Sequence, residues 1–241
     1  MTAATALPGR QAHSGGMSPL AARVFLLSPA HSAGKRAALL LGGRGRFALA
    51  ERLGAGGTIT LAEAFSFLSG LYFRGKLAYA RRFASPPAGV LGVQVITSNR
   101  GLLPAETEVT AGDLRAFAET EIRSDEPRYR DPLLRDLASI DGAVTAGAAA
   151  PEIVLLGSIA TGKYVDVLID VLGERLLFPS EFVGRGDMSR GALLLRAARE
   201  GRELACQPAA TTVRRGRRPR KVASDDGDGT DTPLLTHTRR R

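Results

Sequence analysis

The sequence predicts an α/β fold: a single three-layer domain with a short, mostly parallel sheet, helices on both faces and disordered termini. Three observations carry this. Short apolar runs at 24–27, 90–97, 153–156 and 175–178 have the length of strands, and stretches of helical period separate them. Strand followed by helix, repeated at this spacing, is the pattern of parallel strands joined by crossovers. Of the 241 residues, 44% are hydrophobic, enough for a core without metal or disulfide support, while both ends lose apolar periodicity. The expected organisation is a disordered N-terminal segment 1–22, an α/β domain 23–206 and a basic disordered tail 207–241.

The first strand, 24–27, ends in Ser28-Pro29, and a polar loop through Gly34-Lys35 leads into a helix over 35–41. Gly42, Gly43 and Gly45 interrupt that helix. Thr60 with Glu63 three residues on is a capping-box pattern and starts a helix at Leu61, with a break at Ser69-Gly70. Over 71–84 the spacing puts Leu68, Tyr72, Tyr79 and Phe83 on one face and Arg74, Arg81 and Arg82 largely elsewhere. The run 90–97 is apolar enough for burial on both faces, and Gly101-Leu102-Leu103-Pro104 ends the loop after it. Helices are expected over 111–120 and 132–140, the second with Asp131 as N-cap and Pro132 in the first helical position. A small-residue linker at 142–150 precedes the strand 153–156, a helix over 163–172, the strand 175–178 and a last helix over 188–199.

Cys206 is the single cysteine, which excludes an internal disulfide and a Cys-based zinc site and fits a reducing compartment. Residues 1–22 hold one basic residue, Arg10, and no apolar run of signal-peptide length. The apolar runs 153–156 and 165–172 fall far short of the roughly 20 residues that span a bilayer. The expectation is a cytoplasmic protein with no membrane contact. The net charge is +9, of which the segment 208–241 supplies +5 from nine Lys or Arg against four Asp. Arg214, Arg215, Arg217, Arg218, Arg220 and Lys221 cluster there, a pattern suited either to a polyanion such as DNA or RNA or to solubility alone.

Three segments could carry chemistry. Gly157, four residues, then Gly162 and Lys163, between a strand and a helix, has the spacing of a phosphate cradle, but Tyr164 stands where a magnesium-holding hydroxyl is needed. It reads as a nucleotide site, a simpler anion-binding turn or an ordinary turn. The loop Ser28-Pro29-Ala30-His31-Ser32-Ala33-Gly34-Lys35 follows the first strand, where open α/β sheets place ligands. His31 is the only histidine inside the expected domain and reads as an acid, a base or a solvated loop residue; no metal site and no cofactor are implied. In Gly184-Arg185-Gly186-Asp187-Met188-Ser189-Arg190, two cations flank a helix start, with Asp187 as a catalytic group or a cap.

The stretch Leu26-Leu27-Ser28-Pro29-Ala30-His31, the segment from Val95-Ile96-Thr97 to Gly101-Leu102-Leu103-Pro104, and Arg185-Gly186-Asp187-Met188-Ser189-Arg190 resemble the YaaA-type peroxide-stress proteins. The segment from Gly70-Leu71-Tyr72-Phe73 to Tyr79-Ala80-Arg81-Arg82-Phe83 resembles a related group of bacterial domains, themselves similar to the uracil-DNA-glycosylase-like domain of archaeosine synthases. The resemblance implies an α/β domain associated with DNA or nucleobases. It also implies Lys35, Arg185 and Arg190 as phosphate contacts. The sequence departs from the pattern where His31 replaces a lysine and where Ser98-Asn99-Arg100 precedes Gly101.

These observations lead first to a nucleic-acid-associated protein whose strand-end loops present Lys35, Lys163, Arg185 and Arg190 to phosphate. The alternative is an enzyme acting on a nucleobase or nucleotide, with His31 and Asp187 as catalytic groups, and a further alternative is a P-loop-like phosphotransferase. One concave site joining His31, Asp187 and Tyr72 would favour the enzyme readings; a flat basic face would favour binding alone.

Overall fold

The structure is a computed structural model that describes residues 22–43, 45–142, 150–160 and 162–212. The segment 1–21, most of the expected linker and the whole arginine cluster from Arg214 to Lys221 lie outside the described residues. The described chain is a mixed α/β fold with eight helices and a six-stranded, mostly parallel sheet. Among its described residues no helix is long and apolar enough to cross a membrane.

The first strand, β1 (Arg23–Leu27), is followed by α1 (Lys35–Leu41), α2 (Ala48–Gly54), a two-residue strand β2 (Ile59–Thr60), α3 (Leu61–Ser69) and α4 (Leu71–Phe83). Next come β3 (Val93–Ile96), β4 (Leu102–Pro104), β5 (Glu108–Val109), α5 (Ala111–Glu119) and α6 (Pro127–Gly142). The chain closes with β6 (Glu152–Leu156), α7 (Gly162–Leu172), β7 (Leu176–Pro179), α8 (Asp187–Glu200) and β8 (Cys206–Pro208). Its main sheet has the order β4-β3-β1-β6-β7-β8, with β3, β1, β6 and β7 parallel and the two outermost strands antiparallel to their neighbours. The right-handed rule for parallel crossovers puts the helices between β1 and β3 on one face and α6 and α7 on the other, while α5 lies beside α3, with Phe117 against Phe65. α4 and α8 pack together on the first face, and α6 meets α7 on the second. β1 and β6 lie in the middle, with Val24, Leu26, Leu27, Val154, Leu155 and Leu156 fully buried.

Local chemistry explains most of the element ends. Thr60 accepts from the Glu63 amide while Glu63 reaches back to the Thr60 amide, so the expected capping box closes the start of α3, and Thr110 with Asp113 repeats it at α5. α6 starts at Pro127, five residues before the expected Pro132, which lies inside the helix. Tyr129, Leu133, Leu137 and Ile140 form one buried stripe, and burial of Tyr129 extends the helix across a proline that lacks its own donor. Asp187 is the first residue of α8 and Gly186 its N-cap, which corrects the expectation that Asp187 caps this helix.

Both edge strands lie where the sequence pattern indicated loop or tail. β4 pairs with β3 across the tight turn 98–101, in which Gly101 has a φ of 66° and its carbonyl accepts from the Thr97 amide. Pro104 is tolerated because the strand is an edge. At the other side β8 pairs with β7, the Ala209 amide donates to the Leu176 carbonyl at 2.7 Å, and Thr212 Oγ1 donates to the Pro208 carbonyl at 2.7 Å. The domain therefore runs past the expected end at Cys206. A chain ending at Gln207 should lose about 2 kcal/mol relative to one ending at Thr212, since several sheet-edge hydrogen bonds and the burial of Ala209 go with the removed residues. Urea midpoints of the two forms measure this; equal midpoints would show that the edge beyond Gln207 contributes nothing.

Candidate active site

The chain leaves β1 toward β3 on one side and leaves β6 toward β7 on the other, so the loops after β1 and β6 part and open a crevice. Leu27 pairs with Leu156 at this end, and the Ser28 amide donates to the Leu156 carbonyl at 3.1 Å. A cavity of about 470 Å³ opens there. Gly157 lets the two strand ends close on it: a Cβ at this position would sit 2.8 Å from Ser28 Cβ and 2.9 Å from the Tyr164 hydroxyl. The motif glycine is thus explained by close packing at the crevice.

Lys76, from α4, lines this cavity and is only 1% exposed. Its Nζ donates to the Ser28 carbonyl at 2.6 Å and to Ser28 Oγ at 3.0 Å, and lies 4.7 Å from the Tyr72 ring and 5.0 Å from the Phe73 ring. Among the described residues no carboxylate comes within ion-pair distance of it. Loss of hydration pulls its pKa down to about 7; Asp187 draws it back up, and Arg190 pushes it further down. Beside it the Tyr72 hydroxyl is buried, faces the Arg190 guanidinium and makes no hydrogen bond of ordinary geometry among the described residues. Burial raises its pKa well above the usual phenol value, against the pull of Arg190. Tyr164, whose pKa burial also raises, accepts from the Ser158 amide at 2.7 Å.

The structure brings His31, Tyr72 and Asp187 to the wall of this one cavity. His31 is exposed and also borders a neighbouring cavity of about 410 Å³, which Lys163, Ser98 and Arg123 help to line. Lys163 therefore faces the second cavity. Lys35 is exposed on α1 and lines neither; its neighbour Arg36, turned by about 100° along the helix, is the residue that reaches the first cavity and donates to the Phe67 carbonyl. Arg185 donates to the Glu181 carbonyl and to Ser189 Oγ, which folds it back on its own turn. Arg190 is 7% exposed, donates twice to the Phe182 carbonyl, stacks on the Phe182 ring and lies 3.7 Å from Asp187. It supports the cavity from behind, where the sequence suggested a surface contact for phosphate.

Sequence reasoning missed Ser28, Lys76 and Arg36. The signal for Lys76 was present: it falls between Tyr72 and Tyr79 on the apolar stripe of α4, where a lysine must be buried. A larger cavity of about 590 Å³ lies beside α5 and α6, but its cations Arg100 and Arg128 are already paired, with Asp113 at 3.3 Å and Glu126 at 2.9 Å. No group of three or more His, Cys, Asp or Glu among the described residues is placed to hold a metal. Comparison of the chain with protein-family models, with curated proteins and with solved structures returned no match.

Proposed function

We propose that this chain is an enzyme acting on a nucleobase or nucleotide, with its active site in the crevice between the ends of β1 and β6. The observation that carries the reading is convergence: His31, Tyr72 and Asp187 border one concave cavity with a buried lysine that has no counter-ion among the described residues. A lysine buried at this cost is retained by function more readily than by packing. The N-terminal ends of α4 and α8 contribute Tyr72 and Asp187 to the cavity, and their positive dipole ends together with Arg36 suit a substrate phosphate. The amide of Ser158, which a P-loop would aim at phosphate, is taken by Tyr164, so support for a phosphotransferase of that kind is weaker. Association with DNA or RNA through the arginine cluster of the tail is a second reading, favoured by the charge pattern alone.

Thermal unfolding of the full-length protein with a panel of free bases, nucleosides and nucleoside monophosphates tests the first reading. A ligand at about 100 times its Kd stabilises by about 2.7 kcal/mol, roughly 5–10 °C for a domain of this size. Asp187→Ala and Tyr72→Phe should shrink that shift. If no member of the panel moves the transition while duplex DNA does, the crevice is not a nucleotide site and the second reading replaces the first.

A further inference from the structure

We propose that Ser28 is the nucleophile of this crevice and Lys76 its general base, a serine–lysine pair that hydrolyses a phosphate ester through a phosphoserine. The inference rests on the crevice being an enzyme site and goes on to name the reaction and the residues that perform it.

Ser28 is the first residue beyond β1, and the bond from its amide to Leu156 fixes its backbone at the point where the two loops part. It is 5% exposed, and the little surface it keeps lines the cavity. Lys76 Nζ touches both the carbonyl and Oγ of this same residue, so the amine is held in register with the hydroxyl by two contacts. A nucleophile and a base within hydrogen-bond reach, the base oriented by a further group, is the arrangement that activates a serine. Most buried lysines would be useless here, because an ammonium cannot accept a proton. This one has no ion-pair partner among the described residues and titrates near neutrality, so a large fraction of it is a free amine at pH 7.

The surroundings favour phosphorus over a neutral carbonyl as the electrophile. Arg36 and Tyr72 line the cavity, and Arg190 lies behind it, facing the Tyr72 hydroxyl. In the first step the Ser28 Oγ–P bond forms, the Oγ proton passes to Lys76 Nζ, and the P–O bond to the leaving group breaks. The departing oxygen keeps that electron pair and takes the proton from the Lys76 ammonium. In the second step a water oxygen attacks phosphorus, Lys76 takes the water proton, the Oγ–P bond breaks, and the proton returns to Oγ. Phosphate and an alcohol leave, and the enzyme is restored.

The charged and titratable groups around the pair are Asp187 and Arg190 on α8, Tyr72 on the same helix as Lys76, Tyr164 on α7, Arg36 on α1 and His31 on the loop after β1. The test uses the full-length protein and a dialkyl fluorophosphate, which forms an Oγ–P bond with loss of fluoride. Mass spectrometry should place one adduct on Ser28, and the labelling rate should rise with pH around a midpoint near 7. Lys76→Met should slow labelling by about 100-fold or more, and Lys76→Arg should not restore it, because a guanidinium stays protonated. The pH profile needs no variant, so it decides even if a substitution disturbs folding. Labelling elsewhere or not at all overturns the proposal, as does a rate independent of pH or one unchanged in folded Lys76→Met. Nucleotide binding that persists alongside such a result would leave the crevice a ligand site and remove only the serine–lysine chemistry.

Discussion

Replacing Lys76 with Met should abolish turnover and at the same time make the protein more stable below pH 7, by about 2 kcal/mol, or roughly 4–8 °C in Tm. The side chain is buried, its only hydrogen-bond acceptors among the described residues are the neutral oxygens of Ser28, and Met fills nearly the same volume. Losing those two bonds costs about 1–3 kcal/mol, but removing a buried ammonium that has no counter-ion among the described residues gains more. The pH dependence has a definite sign. Lys76 titrates near pH 7 in the folded chain and near 10.5 when unfolded, so between these values the unfolded state holds more protons and stability rises with pH. Below about pH 7 both states are protonated and the full penalty of burial applies. Above about pH 10 the trend reverses, because burial raises the pKa of Tyr72, Tyr129 and Tyr79, the last to about 12, and the unfolded chain then ionises first. Wild-type stability should therefore climb from neutrality toward pH 10 and then fall, and Lys76→Met should lack the climb. Denaturant midpoints measured across this range check it. A Met variant less stable than wild type at pH 6 would show that the ammonium is a structural strut, whose burial then needs no function to explain it.

Gly191→Ala should destabilise by more than 2 kcal/mol, and Gly191→Val should fail to reach the native state. Alanine is ordinarily preferred to glycine inside a helix by about 1 kcal/mol, so the expected loss runs against local propensity. The reason is the crossing of α4 and α8. A Cβ on Gly191 would lie 2.8 Å from both the Leu71 carbonyl oxygen and Tyr72 Cα, and a Cβ on Gly75 would lie 2.6 Å from the Gly191 carbonyl oxygen. These neighbours are backbone, which cannot swing aside. The helices must part instead, and parting them draws Tyr72 and Lys76 away from Arg190 and Asp187. Gly54→Ala, at a position where the added Cβ meets nothing within 4 Å beyond its own helix backbone and chain neighbours, is the control and should be neutral or mildly stabilising. If Gly191→Ala unfolds at the control's denaturant concentration, the two helices are not locked at this crossing.

Local rules settled the elements that local chemistry governs. The bounds of α1 follow from its polar loop and from Gly42, α3 from a capping box within four residues, and the central strands β1 and β6 from uninterrupted apolar runs that only a sheet buried on both faces needs. The α/β class follows from their alternation. Tertiary contacts decided the rest. β4 and β8 are three residues each and carry no pattern of their own, because the hydrogen bonds that make them strands come from β3 and β7. The same holds for the site. His31 and Asp187 are 156 positions apart, and only the β1–β6 crevice and the start of α8 put them on one wall. Arg190 looks like a surface cation in the sequence, but the close glycine crossing of α4 and α8 presses it under Tyr72, where it bonds the Phe182 carbonyl. Lys76 was visible as a lysine on an apolar stripe. That its amine meets Ser28, 48 positions earlier, was decided by the packing of α4 across the end of β1, since a charge is placed by what surrounds it in space and the sequence specifies those neighbours only through the fold.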